Sequence, residues 1–312
     1  IIRTWDFYTI VKSFYHFGQR PWDNVMISGF AMAAKGEKIS KSKDNSKADP
    51  LTLIDQYSAD VIRYWAGSGR LGTDIAYSEE TLQRGRKLIN KIWNVSKFIE
   101  MQLQDYKDKE FNDFEYIDRW ILGKYQEMEK GFLKYLDDYE VGLALNHLEK
   151  FFWNFCDNYV EIVKHRLYRP EEFGDKPRYS GQKTIYILLY KLLQNFSIYF
   201  PFITEEIYQE LYHEKKSIHL TEMKELNYHF ENEVELGNQI VEIISIARGE
   251  KTNNNVSLKT PIKAFDLDVS EELKDAIENS IKDFRATLFI KELNMNIVDC
   301  EYHVKNIELE LE

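Results

Sequence analysis

Residues 38–45 read Lys38-Ile39-Ser40-Lys41-Ser42-Lys43-Asp44-Asn45, and the rest of the chain is organised around them. Three lysines alternate with serines, Lys35 and Lys47 flank the run, and Glu37 and Asp44 are the acids close by. A lysine is a compact point charge on a flexible stem. A serine adds a short donor and acceptor that can shape a loop or hold a ligand oxygen. Such a loop can close over a polyphosphate and neutralise charge that builds as a phosphoryl bond breaks. In isolation a solvated lysine run reads the same way, so the context decides.

Upstream, Asn24-Val25-Met26-Ile27-Ser28-Gly29-Phe30 has the composition of a strand, and residues 31–38 look like a hairpin returning to the loop. Downstream, residues 51–67 space Leu51, Ile54, Tyr57, Val61, Tyr64 and Trp65 as the apolar face of a helix, with Asp60 and Arg63 on its polar face. A strand-to-helix junction is where phosphate-binding loops sit. Residues 1–17 also read as a helix. It is apolar on most sides, which predicts burial at a domain centre, and Ile1 and Trp5 share one face of it.

The lysine run resembles the KMSKS signature of the class I aminoacyl-tRNA synthetases, with Ile39 in the methionine place and Asp44 where the family usually has glycine. The likeness extends along nearly the whole chain. Ile1 with Trp5, and Gly69-Arg70-Leu71-Gly72-Thr73-Asp74-Ile75 before Tyr77-Ser78-Glu79-Glu80, look most like the valyl branch. The resemblance implies ATP, with Mg2+, as a substrate on Lys38, Ser40, Lys41 and Ser42, with Lys38 and Lys41 catalytic. It also implies an aliphatic amino-acid pocket walled by Ile1 and Trp5. Such a pocket cannot strongly reject an isostere carrying a hydroxyl, and the family answers with an editing domain that this sequence does not contain. The family's other signature, H-I-G-H, is also not in the sequence, which begins Ile1-Ile2-Arg3. The expectation is a C-terminal piece of a longer enzyme that binds tRNA(Val) but is inactive alone.

Composition bounds the partners. The 312 residues carry a net charge of −11, which excludes a globally basic nucleic-acid binder. The charge is uneven, however: residues 1–100 hold 15 Lys and Arg against 11 Asp and Glu. A local basic face suffices for RNA. The helix expected from 79 to about 102, capped by Ser78, carries Arg84, Arg86, Lys87, Lys91 and Lys97 with no acid between them. Arg84, Lys87, Lys91 and Asn94 form one stripe of it, either a tRNA contact or a solvated basic face. Cys156 and Cys300 lack metal-ligand spacing, so neither a zinc site nor a disulfide scaffold is expected, and a reducing cytoplasm fits. No apolar run reaches the length of a membrane span, and nothing in the sequence marks a protein partner.

The remaining chain predicts a mainly α fold in four parts. Residues 1–75 are the C-terminal remnant of a class I Rossmann catalytic domain. Residues 76–112 are the basic helix and a polar linker. Residues 113–230 are a helix bundle, with helices expected over 118–135, 139–165, 180–199 and from Pro201, and a loop at 166–179. Within it Asp118-Arg119-Trp120, residues 152–159 and residues 201–206 resemble the family's anticodon-binding domain. Residues 231–312 form a small α+β unit. It has a helix at 234–247, a polar loop at 248–255, a strand at 262–269, a helix capped by Ser270, a second helix reaching 293, and strands at 297–302 and 304–311. An isoleucyl or leucyl relative would share the loop and the bundle, whereas a stand-alone RNA-binding module would reuse the bundle and have no use for the lysine loop or for Ile1 and Trp5.

Overall fold

The structure, a computed structural model, describes residues 1–33, 36–37, 39, 50–212, 216–299 and 302–310. Lys38, Ser40, Lys41 and Ser42 lie outside the described residues, as do Asp44 and Cys300.

A π-helical turn, Ile2–Asp6, leads into α1 (Phe7–Phe17). Gly18 ends α1 at φ 68°, donating its N–H to the Phe14 carbonyl. The expected burial of this segment is not observed. Asp6 is buried, whereas Ile1, Ile2, Trp5, Phe7, Phe14 and Phe17 are exposed, with the Trp22 ring stacked on Trp5. The run 24–30 is not a strand either. The pairing begins one residue later, at β1 (Ala31–Met32), which runs parallel to β2 (Ile75–Ala76). The two segments approach so closely that a Cβ on Gly29 would meet the Thr73 carbonyl oxygen at 2.0 Å, so glycine is required there.

The apolar period over 51–67 is helical but broken. α2 (Pro50–Tyr57) and α3 (Ala59–Gly67) are separated by Ser58, which sits at φ 92° and cannot continue a right-handed helix. α4 (Glu79–Gln102) begins where expected, with the Ser78 hydroxyl accepting the Thr81 N–H at 3.2 Å. The bundle follows as α5 (Tyr116–Asp137), α6 (Val141–Asn154), a π-helical turn Phe155–Tyr159, α7 (Val160–Tyr168), α8 (Pro170–Phe173), α9 (Asp175–Phe196) and α10 (Pro201–Tyr212). The expected loop at 166–179 is therefore mostly helical.

α11 (Glu231–Asn253) runs through most of the expected polar loop. β3 (Ile262–Val269) is followed by α12 (Glu271–Asn279), whose first turn is capped by the Ser270 hydroxyl, and by α13 (Ile281–Leu288). Phe289, at φ 57°, ends α13, so residues 290–293 start a strand rather than extending a helix. β4 (Ile290–Ile297) and β5 (Tyr302–Leu309) flank β3 in the order β4-β3-β5, parallel on one side and antiparallel on the other.

A main core links α4, the bundle and the C-terminal unit, and a second, smaller cluster of Leu53, Tyr57, Val61 and Leu82 joins α2, α3 and the start of α4. The main core runs from Ile92 and Ile99 of α4 through Trp120, Phe132, Phe152 and Phe196 of the bundle to Ile240, Phe265 and Leu288. α11 joins bundle and sheet: Gly237 lets it lie against Trp120, where a Cβ would come within 2.3 Å of Cδ1, and the Trp120 indole N–H donates to Asn238 at 3.0 Å. α3 is docked on the bundle by polar contacts of unusual completeness. The buried Asp60 carboxylate accepts the N–H groups of Phe202 (3.1 Å) and Ile203 (2.9 Å) at the start of α10, completing a cap across two parts of the chain. Tyr64 stacks on Phe200 at 5.5 Å and donates its hydroxyl to Glu149 at 2.8 Å.

Candidate nucleic-acid interface

α4 turns Leu82, Gly85, Leu88, Ile92, Val95, Ser96 and Ile99 inward and leaves its basic residues on the other faces. Gly85 is needed because a Cβ there would come within 2.6 Å of the Tyr64 ring. The four residues singled out on this helix meet different fates. Arg84 reaches Glu149 of α6 at 3.2 Å, sharing that carboxylate with Tyr64, so it also ties α4 to the bundle. Lys87 and Asn94 are exposed. Lys91 donates to Asp157 at 3.0 Å and lies over the Trp153 ring at 5.6 Å.

Lys91 and Asn94 face a groove of about 680 Å³ between α4 and α7. Phe98 and Tyr168 meet edge to face along it, with ring centroids 6.0 Å apart. Lys164, Arg169 and Lys259 also line it, with Lys164 paired to Glu161 and Arg169 to Glu172. His165, also in the lining, contacts Arg169 at 3.0 Å. Burial, then Arg169 and Lys164, push its imidazole down to about 4, so the ring is neutral near pH 7. Burial lowers Lys91, but the hydrogen bond to Asp157 together with the electrostatic effects of Cys156, Asp157 and Glu161 outweighs it, and its ammonium is held above the ordinary lysine value. Burial pushes the Cys156 thiol at the groove floor up to about 12, which leaves it unreactive. Cations around an exposed Tyr168 ring and a partly buried Phe98 ring suit single-stranded nucleic acid, in which phosphates need charge and unstacked bases need a flat partner. Sequence reading named Lys91 and Asn94 but missed Phe98 and Tyr168. The signal was present in the helical continuation Lys91, Asn94, Phe98, but the opposite wall belongs to a helix more than 60 residues away.

Some basic residues near residues 164–178 serve structure instead. Arg166 is fully buried and pairs with Asp118 at 2.5 Å. Asp118 also accepts the Tyr159 hydroxyl at 2.7 Å and that of Ser180. Arg178 pairs with Asp105, and Lys176 with Asp113. At the N-terminus Trp5 stacks on Trp22 with centroids 5.6 Å apart, while Ile1 is 77% exposed. Among the described residues no group of three His, Cys, Asp or Glu side chains is placed to hold a metal, and no helix is long and apolar enough to cross a membrane.

Residues 1–78 match the family described as tRNA synthetases class I (I, L, M and V), and residues 118–266 match the anticodon-binding domain of tRNA ligase. The chain is 39% identical over 297 residues to a protein of Rickettsia canadensis named Valine--tRNA ligase, covering 89% of the chain and 36% of that relative. Relatives of the same name in Rickettsia conorii and in the Wolbachia of Brugia malayi are each 38% identical, over 96% and 90% of the chain and 38% and 34% of their own lengths. The chain thus spans about a third of the curated relatives it matches. The LeuRS of Agrobacterium radiobacter K84, solved as a ternary complex with tRNA and LeuAMS, shares the fold with a TM-score of 0.54 at 13% identity, over 98% of this chain and 36% of that one. With tandem matches to a synthetase domain and its anticodon-binding partner, and with relatives similar along nearly its whole length, the chain belongs to the class I aminoacyl-tRNA synthetases.

Proposed function

We propose that the protein of which this chain is part attaches valine to tRNA(Val) in the cytoplasm. The valine carboxylate attacks the α-phosphorus of ATP, bound with Mg2+, forming the mixed anhydride and releasing pyrophosphate. A hydroxyl of the terminal adenosine of the tRNA then attacks the acyl carbon and AMP leaves. Lys38 and Lys41 neutralise the phosphates as charge moves onto the leaving pyrophosphate, and Ser40 and Ser42 shape the loop. Ile1 and Trp5 supply the aliphatic and indole walls of the side-chain pocket. The groove between α4 and α7 takes tRNA, with Lys91 and Asn94 on its wall and Lys87 and Arg84 extending the basic stripe.

The similarity to proteins named Valine--tRNA ligase along nine tenths of the chain is what carries this reading. The division into a catalytic remnant (1–75), connecting helix (76–112), bundle (113–230) and terminal unit (231–312) goes with it. The 312-residue chain by itself binds tRNA without aminoacylating it, because holding ATP against a carboxylate takes both signatures of the class I site. Amino-acid-dependent ATP–pyrophosphate exchange by the whole enzyme tests the reading. Valine should drive exchange far better than isoleucine or leucine. Lys41→Ala should lower kcat by roughly 10²-fold with little change in the KM for ATP, since the lysine acts mainly in the transition state. Exchange driven by isoleucine or leucine in preference to valine would overturn it.

A further inference from the structure

α6, which continues through the π-helical turn into the groove wall α7, has a polar flank of its own. Trp153 and Asp157 meet Lys91 of α4, whereas His147, Lys150, Phe151 and Asn154 face α5. With Lys124 and Glu127 of α5 they enclose a separate recess of about 240 Å³ over the buried Phe151 ring.

The recess holds more donors than acceptors. Lys124 is half-buried, and among the described residues its ammonium has one acceptor, Asn238 Oδ1 at 2.9 Å. That oxygen already takes the Trp120 indole N–H at 3.0 Å, so Lys124 keeps donors to spare. Lys150 is exposed at the rim. Asn154 Oδ1 accepts from Asn158 at 2.7 Å, which leaves its own amide N–H groups as donors. The His147 ring is seated over Gly131, where a Cβ would come within 2.6 Å of Nε2, and lies edge-on to Tyr135 at 5.9 Å. Glu127, exposed, is the one acid in the lining.

We propose that this recess is a phosphate oxyanion site, held by Lys124, Lys150 and the Asn154 amide beside His147. A half-buried ammonium whose one hydrogen-bond acceptor is neutral, and whose countercharge Glu127 lies at the exposed rim, gains from an anion that supplies both charge and lone pairs. The titration of the same groups agrees. Burial, then Lys150, hold the His147 imidazole below its usual value, and burial holds Lys124 below its own while Glu127 opposes.

The test follows the His147 pKa by NMR in the full 312-residue chain, in inorganic phosphate against chloride at matched ionic strength. Phosphate should raise it saturably by about half a unit to one unit, because an anion favours the imidazolium. The ring resonances of His16 and His219, outside the recess, serve as the control and should not respond to phosphate at fixed pH. Lys150→Gln should abolish the rise, and Glu127→Gln should strengthen it; both side chains are exposed, so neither change threatens folding. A His147 pKa that ignores phosphate, or a rise that survives Lys150→Gln, overturns the site. A second arm, resting on the tRNA reading, identifies the source of the phosphate. If it is the RNA backbone, Lys150→Gln lowers the slope of log K against log salt for tRNA by about one. A phosphate response with an unchanged slope assigns the recess to a free phosphate ligand instead.

Discussion

Asp60 is one of the residues through which α3 grips the bundle, beside Tyr64, and removing its carboxylate should be costly. Its two oxygens accept the first-turn N–H groups of α10, from Phe202 at 3.1 Å and Ile203 at 2.9 Å, and the side chain is 5% exposed. Asp60→Ala leaves both donors without a partner inside a packed interface. Loss of an N-cap costs about 0.5–2 kcal/mol, and a buried donor left unpaired about 1–3 kcal/mol. The donors are only partly buried, so water recovers some of this. Together these give about 2–3 kcal/mol for Asp60→Ala. Asp60→Asn keeps the shape and one acceptor oxygen but loses the charge that favours a helix N-terminus, which gives about 1 kcal/mol. Urea unfolding of the 312-residue chain, followed by far-UV circular dichroism, gives the first number. Hydrogen exchange at the Phe202 and Ile203 amides localises it, and both should exchange faster in Asp60→Ala. If Asp60→Ala is within about 0.5 kcal/mol of the parent and both amides keep their protection, the cap does not hold the two parts together.

The remaining predictions test other joints. Gly237→Ala puts a Cβ 2.3 Å from Trp120 Cδ1, so the overpacking cost of about 1–3 kcal/mol should outweigh the gain in helix propensity, and a stabilised variant would contradict the packing described. Asp283, on α13, is pushed up to about 6 by burial, with Arg166, 3.5 Å away, pulling the other way. A carboxyl whose folded pKa exceeds its unfolded value of about 3.8 stabilises fully below that value and loses the contribution as pH rises through 6. Asp283→Asn should therefore flatten the stability profile between pH 4 and 7, gaining on the parent by of order 1–3 kcal/mol across that window in urea titrations. A profile parallel to the parent's would rule this out. Lys91→Gln breaks a partly exposed pair with Asp157 and should cost less than about 1 kcal/mol in stability, yet lower the salt slope of tRNA binding by about one. An unchanged slope would place the RNA elsewhere.

Local signals read well from sequence, and tertiary ones did not. Ser78 with Glu79 and Glu80 announced the start of α4, Ser270 that of α12, and the alternation over 262–269 gave β3 with its observed bounds. Each depends on neighbours within a turn or a strand. The break at Ser58 and the stop at Phe289 depend on positive φ at residues that are not glycine, which composition does not mark. Residues 24–30 had the composition of a strand, but a strand also needs a partner, and the partner meets residues 31–32. Asp60 and Arg166 read as polar-face and loop-side residues, yet both are buried, because each answers donors or acceptors more than 40 residues away. The interface divides the same way. The basic stripe of α4 was legible from spacing; the groove was not, since α7 supplies its other wall. The chemistry of the lysine run is legible only in the sequence, as Lys38, Ser40, Lys41 and Ser42 lie outside the described residues.

Equilibrium binding of the purified 312-residue chain to valine, isoleucine and leucine tRNA transcripts, across low and moderate salt, would decide most. A preference for tRNA(Val) that survives added salt is the expected result, because base contacts discriminate where phosphate contacts only attract. Equal binding of all three that collapses with salt, or no binding at all, would contradict a valine-specific tRNA-reading role for this part of the enzyme.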